Sequence, residues 1–312
     1  LTRVGVVVVN WNRAQDTLAA YRSLTSSSFE DWRLYAVDNA SADNSAEILA
    51  RDLADKATLI LNTVNAGFSG GCNLGVHRAL ADGCTHIFLL NNDATVLPST
   101  LAELVAASSK LDDTAVLGSA VKISGTDRFQ FFGSRTRADV GHPDWFDDND
   151  LGELSKGLID TDFVLGAALF APANIWRAIG DFDDRFYLNY EETDWCYRAR
   201  KSGFRCYIVP SSIIQHQVGA TVGPINGPLQ TYFIYRNELL FAARHATMRQ
   251  KAHLFFRSLT ILIKSCLKDL IKFRTLKPPA RAHAIALYDV ARGKFGDCPP
   301  IIRKQATRHR TA

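Results

Sequence analysis
Three observations predict an α/β protein, a mostly parallel central sheet flanked by helices and followed by a helical C-terminal extension. Short apolar runs alternate with helical segments through roughly the first 120 residues, the order that right-handed crossovers between parallel strands produce. Four of the runs stop abruptly in small polar residues, at the strand ends where open α/β sheets bind ligands. From about Leu229 onward the pattern is helical and strongly basic.

Taken in order, Val4–Val9 is β-branched and apolar and reads as a fully buried strand. Ala14–Ser27 follows as a helix, and Leu34–Val37 as a second strand ending in Asp38-Asn39. Ser41-Ala42-Asp43-Asn44 caps a helix that runs through about Ala54. Leu59–Leu61 is a third strand, and Gly67–Asp82 begins glycine-rich and becomes helical. Ile87–Leu90 is the fourth strand and Pro98–Ser109 another helix. The regularity ends near Val121. Gly125–Lys156, with Gly133, Gly141, Pro143 and an acidic run at 147–150, reads as a hairpin and loop insertion over the sheet edge. Phe163–Ala171 returns to the core as a strand. Ala173–Ile179 and Glu192–Ser202 are helices, and Arg205–Val209 is a strand. The helices that follow are interrupted at Pro278-Pro279. These patterns divide the chain into residues 1–228, with a change of character near 120, and a basic extension over 229–312.

The 312 residues are 47% hydrophobic and 22% charged, enough apolar material for one large domain or two modest ones. No apolar run reaches the length of about 18 residues that a spanning helix needs. Leu1-Thr2-Arg3-Val4 runs straight into a strand, so no signal peptide is expected. Cys72, Cys84, Cys196, Cys206, Cys266 and Cys298 form no C-x-x-C pair, which argues against zinc. Their scatter suggests reduced, mostly buried thiols in a cytosolic protein.

The polar clusters carry the chemistry. Asn10-Trp11-Asn12 follows the first strand, Asp38–Asp43 the second, Asn65–Asn73 the third and Asn91-Asn92-Asp93 the fourth, so a parallel sheet gathers them along one edge. A carboxylate among amide side chains, as at Asp93, suits a divalent metal carrying a phosphate-bearing substrate. The glycine segment lacks a Gly-Lys-Ser/Thr ending and the G-x-G-x-x-G spacing, so neither a P-loop nor a dinucleotide fold is expected. By themselves its glycines favour a tight turn over a ligand site. Asp43 reads as a helix cap, whereas Asp38 has no local helix to cap and reads as a contact to a base or ribose hydroxyl.

A fifth cluster, Tyr187–Arg198, places Glu191, Glu192 and Asp194 at the start of a helix among Tyr190, Trp195 and Tyr197. These acids either complement the helix dipole or include a general base. The aromatic surroundings, which raise a carboxylate toward working pH, favour the second reading. His216 lies beyond an apolar strand and before Gly219, Gly223 and Gly227, which permits either a structural or a metal-ligand role.

Together these residues resemble glycosyltransferase family 2, which has the GT-A fold. Val8–Asn12, Val37–Ser41, Asn65–Asn73 and Leu90–Asp93 match in order, followed by Gly166–Ala168, Gly180–Asp183, Tyr190–Asp194 and His216. The likeness is greatest to the rhamnosyltransferase and galactofuranosyltransferase branch acting on bacterial cell-surface polysaccharides. It implies inverting transfer from a nucleotide-sugar donor to a glycan or polyprenyl-linked glycan acceptor. Residues about 1–120 form the donor half and about 121–228 the acceptor half of such a catalytic domain. Val9, Asn10, Asn12, Asp38, Asn65, Gly67, Gly70, Asn73, Asn91, Asn92 and Asp93 would contact the donor. Gly166, Ala167, Tyr190 and Trp195 would face the acceptor. Asp93 and His216 would ligate Mg²⁺ or Mn²⁺, and Glu192, or else Glu191 or Asp194, would be the base. Asn91 stands where many members have Asp, and Glu192 where the base is usually Asp. The competing readings are a sugar-nucleotide pyrophosphorylase, which would want a glycine-rich Lys/Arg loop after the first strand, and a non-catalytic carbohydrate-binding or scaffold protein. A homo-oligomer is left open.

The net charge of +4 is unevenly spread: from Arg249 onward fifteen Lys/Arg face three acids, a net +12, against −8 for the preceding residues. Lys251, Arg257, Lys264, Lys268 and Lys272 recur near one face of an apolar helix over Leu254–Phe273. That face is either simply solvated or lies on anionic lipid, the reading favoured here, which would make the protein peripheral on the cytoplasmic face of the inner membrane. Nucleic acid is not expected, because no aromatic-basic binding motif accompanies the charge.

Overall fold
The computed structural model describes residues 2–137, 142–217 and 227–310. The chain begins with β1 (Val4–Asn10), α1 (Ala14–Leu24), β2 (Trp32–Asn39), α2 (Ser45–Leu53), β3 (Ala57–Asn62) and α3 (Gly67–Ala81). β4 (His86–Leu90), β5 (Ala94–Val96), α4 (Thr100–Lys110) and β6 (Ala115–Ile123) follow. The insertion holds β7 (Phe129–Phe131), a ribbon of β8 (Ser134–Arg137) and β9 (His142–Trp145), a 3-10 segment over Asp148–Ser155 and β10 (Ile159–Asp160). Gly141 of the expected insertion, like Gly219 and Gly223, lies outside the described residues. Then come β11 (Ala168–Pro172), α5 (Ala173–Ile179), α6 (Glu191–Lys201) and β12 (Arg205–His216). The chain closes with α7 (Pro228–His245), α8 (Met248–Phe273), α9 (Pro278–Ala291) and α10 (Pro300–Arg310).

The main sheet runs β10-β12-β6-β11-β4-β1-β2-β3, with β5 on β12 and β7 on β6. The apolar β1 and β4 pair in parallel at its centre, as their near-complete burial requires. β11 enters antiparallel between β4 and β6, with Ala168 opposite Leu90. β6 and β12 run parallel to each other, so β12 ends on the same edge as β1, β2 and β4. The expected strand Arg205–Val209 is only the first part of β12. The ladder breaks between Val209 and Ile213, around Pro210, and resumes through His216. A proline lacks the N–H that a ladder uses, so the strand bulges there and continues.

Two glycines of α3, Gly71 and Gly75, serve packing. A Cβ on Gly71 would come within 2.7 Å of Val9 Cγ1, and one on Gly75 within 2.3 Å of Val7 Cγ1. Only glycine lets the helix lie this close to β1.

The described residues form two compact units: Leu1–Arg135, Pro143–Asp183 and Glu192–Val218 in the first, and Thr136–His142, Asp184–Glu191 and Gly219–Ala312 in the second. The first is built around the sheet. The second has its own core, in which Leu229, Tyr232 and Phe233 of α7 meet Ala282 and Ala286 of α9 and Ile302 of α10. Pro278 occupies the first turn of α9, so the proline pair starts a helix there, because a proline's missing N–H costs nothing at that position. Thr247 and Gln250 form a capping box on α8. No helix among the described residues is long and apolar enough to cross a membrane.

Candidate active site
The four polar clusters end side by side. Asn10 pairs with Asp38 in register, and Asn39 with Asn62. Asn10 Nδ2 donates to Asp38 Oδ2 (2.8 Å) and to Ser41 Oγ (3.2 Å), while Thr17 Oγ1 donates to Asn10 Oδ1 (3.0 Å). Asp38 also accepts from the Ser41 amide (3.0 Å) and hydroxyl (2.7 Å). The Asn12 amide donates to Ser41 Oγ and its side chain accepts from the Ala42 amide at 2.7 Å. Asn12 and Ala40 both sit in the left-handed region, with φ of 56° and 57°. For Ala40 such a backbone costs on the order of 1 kcal/mol and persists because the surrounding bonds impose it. Three of Asp38's acceptor positions are thus committed to shaping the loop. Asp43 caps α2 through a bond from the Ser45 amide at 2.9 Å.

Asn39 organises the third cluster. It donates to Asn65 Oδ1 (3.1 Å) and Gly67 O (2.8 Å), and it accepts from Asn62 Nδ2 (3.0 Å) and the Ala66 amide (3.1 Å). The Gly67 amide donates to Asn65 Oδ1 and the Gly70 amide to Ala66 O, so those two N–H groups are spent within the turn. Val9 packs beneath Gly71. Asn73 does not reach this edge: its amide brackets the Phe182 backbone, donating to the carbonyl and accepting from the N–H, each at 3.0 Å.

At the fourth cluster His216 and Asp93 meet, with Nε2 to Oδ1 at 3.1 Å, because β5 pairs antiparallel with β12 and sets Ala94 opposite His216. His216 Nδ1 lies 2.7 Å from Gln130 Oε1 on β7. An amide oxygen can only accept, so Nδ1 carries a proton and donates it. Nε2 then faces the carboxylate and the Asn91 Nδ2 donor at 3.2 Å. That lone pair can accept from Asn91 Nδ2 or be offered, with the carboxylate, to a cation. The 3.1 Å separation is close to the spacing of about 3 Å between neighbouring corners of an octahedron with bonds of about 2.1 Å. The pair could therefore hold a divalent ion, with the remaining ligands left to substrate and water. No group of three or more His, Cys, Asp or Glu suited to a metal occurs among the described residues. Gln130, which fixes the tautomer, was not singled out from sequence. Asn92, on the same turn, is 6% exposed with no hydrogen-bond partner for Nδ2 among the described residues.

Glu192 lies next to this edge. The Asn91 amide donates to Ala167 O at 3.2 Å, and Gly166, two residues before β11, donates its N–H to the Glu192 carboxylate. Burial pushes that carboxyl above its ordinary range, against the lowering effect of backbone N–H donors from Glu192, Gly166 and Thr193. Its Oε2 has no hydrogen-bond partner among the described residues. Phe68 covers Gly166, where an added Cβ would approach its ring to 3.1 Å. Gly166 thus holds Glu192, and the methyl of Ala167 is buried in the core.

Two expectations fail on geometry. Asp194 is fully buried and tied to Arg198 Nε at 2.8 Å, which makes it a structural anion. Trp195 has no exposed surface to offer an acceptor: its indole packs on Trp176 (4.3 Å between ring centroids) and Phe182, and donates to Gly180 O. Glu191 is buried as well, at 3% exposure.

In the second unit, Tyr190 lines a cavity of about 220 Å³ with Gln230, Thr231, Tyr235, Glu238 and Arg257. Glu238 and Arg257 form an ion pair, and burial raises the Glu238 carboxyl. The segment leading to α6 has left-handed backbone at Tyr187, Asn189 and Tyr190, with φ of 64–74°. Asn237 Nδ2 lies within hydrogen-bonding distance of the Phe186, Leu188 and Asn189 carbonyls at 2.7–2.8 Å, and Arg236 donates to the Arg185 and Phe186 carbonyls.

Comparison with known proteins finds both sequence relatives and fold matches. The chain is 23% identical over 274 residues to the low-salt glycan biosynthesis hexosyltransferase Agl10 of Haloferax volcanii, covering 84% of this chain and 82% of that protein. It is 24% identical over 272 residues to the dTDP-rhamnosyl transferase RfbF of Shigella flexneri, covering 81% and 86%. Its fold matches the mannosyltransferase PcManGT of Pyrobaculum calidifontis, solved with GDP-Man and Mn²⁺, with a TM-score of 0.56 at 17% identity over 99% of this chain and 80% of that one. The S. aureus TarS fragment 1–349 with UDP-GlcNAc matches with a TM-score of 0.56 at 14% identity over 98% and 84%. Residues 5–171 match the profile of Glycosyl transferase family 2, more than half of the chain, and the protein belongs to that family with a GT-A fold.

Proposed function
We propose that this glycosyltransferase moves a hexosyl or rhamnosyl unit, with inversion, from a nucleotide-diphosphate donor to a hydroxyl of a glycan or lipid-linked glycan. One observation carries the reading: the Asn91–Ala167 bond sets the Asp93–His216 pair beside the Gly166 that holds the buried Glu192. A cation site and a base with a raised pKa then share one sheet edge with the Asn10–Asp38 loop. The two curated relatives, a glycan-biosynthesis hexosyltransferase and a dTDP-rhamnosyl transferase, support the donor class and a role in glycan synthesis.

Asn10, Asn12 and Asp38 would shape the nucleotide seat, with Asn65 and Gly67 forming its wall. Asp93 and His216 would hold Mg²⁺ or Mn²⁺, which supplies neutralisation of charge on the leaving diphosphate. Asn91 and Asn92 orient the donor. Glu192 takes the acceptor proton as the hydroxyl oxygen bonds to the anomeric carbon and the bond to the diphosphate breaks on the opposite face. The sugar passes through an oxocarbenium-like state, and no covalent intermediate on the enzyme is needed. Tyr190 would contact the acceptor sugar.

The test is incubation with a panel of nucleotide sugars and Mn²⁺, following nucleotide release. The wild type turns over at least one donor, and Asp93→Ala abolishes turnover. Nucleotide binding without turnover of any donor, with or without acceptor glycans, would instead make this a carbohydrate-binding protein.

A further inference from the structure
We propose that the outer face of α8 docks on an anionic lipid surface. Phe256, Ile263, Leu267, Leu270 and Ile271 are 62%, 51%, 54%, 49% and 83% exposed on this 26-residue helix. At 100° per residue they fall within an arc of about 100°, one continuous apolar stripe. Such a stripe on an amphipathic helix lies in the interfacial zone of a bilayer, with its cations at the headgroups. Lys264, Lys268 and Lys272 follow one another along a single margin of this stripe, each a turn apart. Asp269 is the only acid of the helix, and it is turned inward, accepting from the Lys277 amide at 2.9 Å. Arg257, read from sequence as part of the basic face, pairs instead with Glu238 on α7.

The charge pattern selects the occupant. Pairing of this face with a second copy would set lysine margins against an equally basic helix with no exposed acid, within a tail of net +12. An anionic bilayer offers both the apolar interior and the complementary charge.

Flotation with phosphatidylcholine vesicles, with and without phosphatidylglycerol, tests the surface independently of any donor chemistry. The full chain floats with the phosphatidylglycerol vesicles and is released by salt. Leu267→Asp with Ile271→Asp abolishes flotation, and each Lys→Gln at 264, 268 or 272 weakens vesicle affinity about fivefold. All these positions are solvent-exposed, so circular dichroism and donor hydrolysis stay at wild-type values. Failure of the wild type to float, or flotation unaffected by the double substitution, overturns the proposal. So does a wild-type dimer in sedimentation that the double substitution splits, which would give the face to a second copy.

Discussion
In the proposed mechanism Glu192 takes the acceptor proton and His216 holds the cation, and each depends on its buried surroundings. Burial raises the Glu192 carboxyl, so the folded state holds that proton more tightly than the unfolded chain does. Its contribution to stability is full below the unfolded value of about 4.3 and is lost as pH rises through the folded one. Glu192→Gln should therefore raise Tm at neutral pH, leave it unchanged near pH 3, and lower kcat about 10²–10⁴-fold, as calorimetry and donor turnover will read. In the wild type the acid limb of kcat should lie above the ordinary glutamate range. Gln130 acts through His216: Gln130→Leu should weaken Mn²⁺ affinity about 10–100-fold by titration while that acid limb stays in place. Asp93 and His216 stand out in the sequence as polar residues beyond apolar strands, and Glu192 as an acid opening a helix among aromatic residues. Gln130 does not, since it sits between two phenylalanines and its bond to His216 depends on β7 joining β6. Trp195 was misjudged because an aromatic residue near an acidic cluster has the same pattern whether it faces a ligand or the core.

Among the elements, strand length did not decide what was legible: nine-residue β6 was not singled out, and twelve-residue β12 only in its first part. The apolar runs of β1 and β4 declared themselves, but three-residue β5 has no periodicity to read, and Pro210 made β12 look finished after Val209. Those two strands bring His216 to Asp93, so the elements that were hardest to see build the cation pair. The segment before α6 shows the same dependence on distant partners. Its three left-handed residues cost about 1–3 kcal/mol each. What holds them is Asn237, reaching back from α7 to three carbonyls. Asn237→Ala leaves buried carbonyls without that donor, at about 1–3 kcal/mol each. Tm should fall and, because α6 begins with Glu191 and Glu192, kcat should drop about 10–100-fold while the donor KM holds. A KM that rises in step with the loss of kcat would assign Asn237 to general folding alone.

For the molecule as a whole, the α/β architecture and the family were both legible, since order of strands, polar strand ends and motif order are written locally. The inclusion of Asp184–Glu191 in the second unit was not, because it rests on packing against helices some 50 residues later. That unit also carries an acid sensitivity. His283 is buried, stacked on Tyr235 at 3.6 Å and bonded to Ser258 Oγ at 2.8 Å, and burial lowers its pKa to about 4. The folded state keeps it neutral while the unfolded chain protonates it below about 6.5, so stability falls as pH drops from there through about 4. Urea melts at pH 7 and 4.5 should show a smaller acid loss in His283→Phe than in the wild type. Finally, the pairing of His216 with a residue 123 positions earlier orders events in time. A ribosome releases the loops at Asn10, Asp38 and Asn65 long before it delivers β12, and domains take shape as the chain emerges. A half-made chain would carry the loops of the proposed nucleotide seat, yet it would lack one of the two protein groups that would secure the cation. On the proposed mechanism, donor cleavage would then wait until the strand that ends in His216 has left the exit tunnel and joined the sheet.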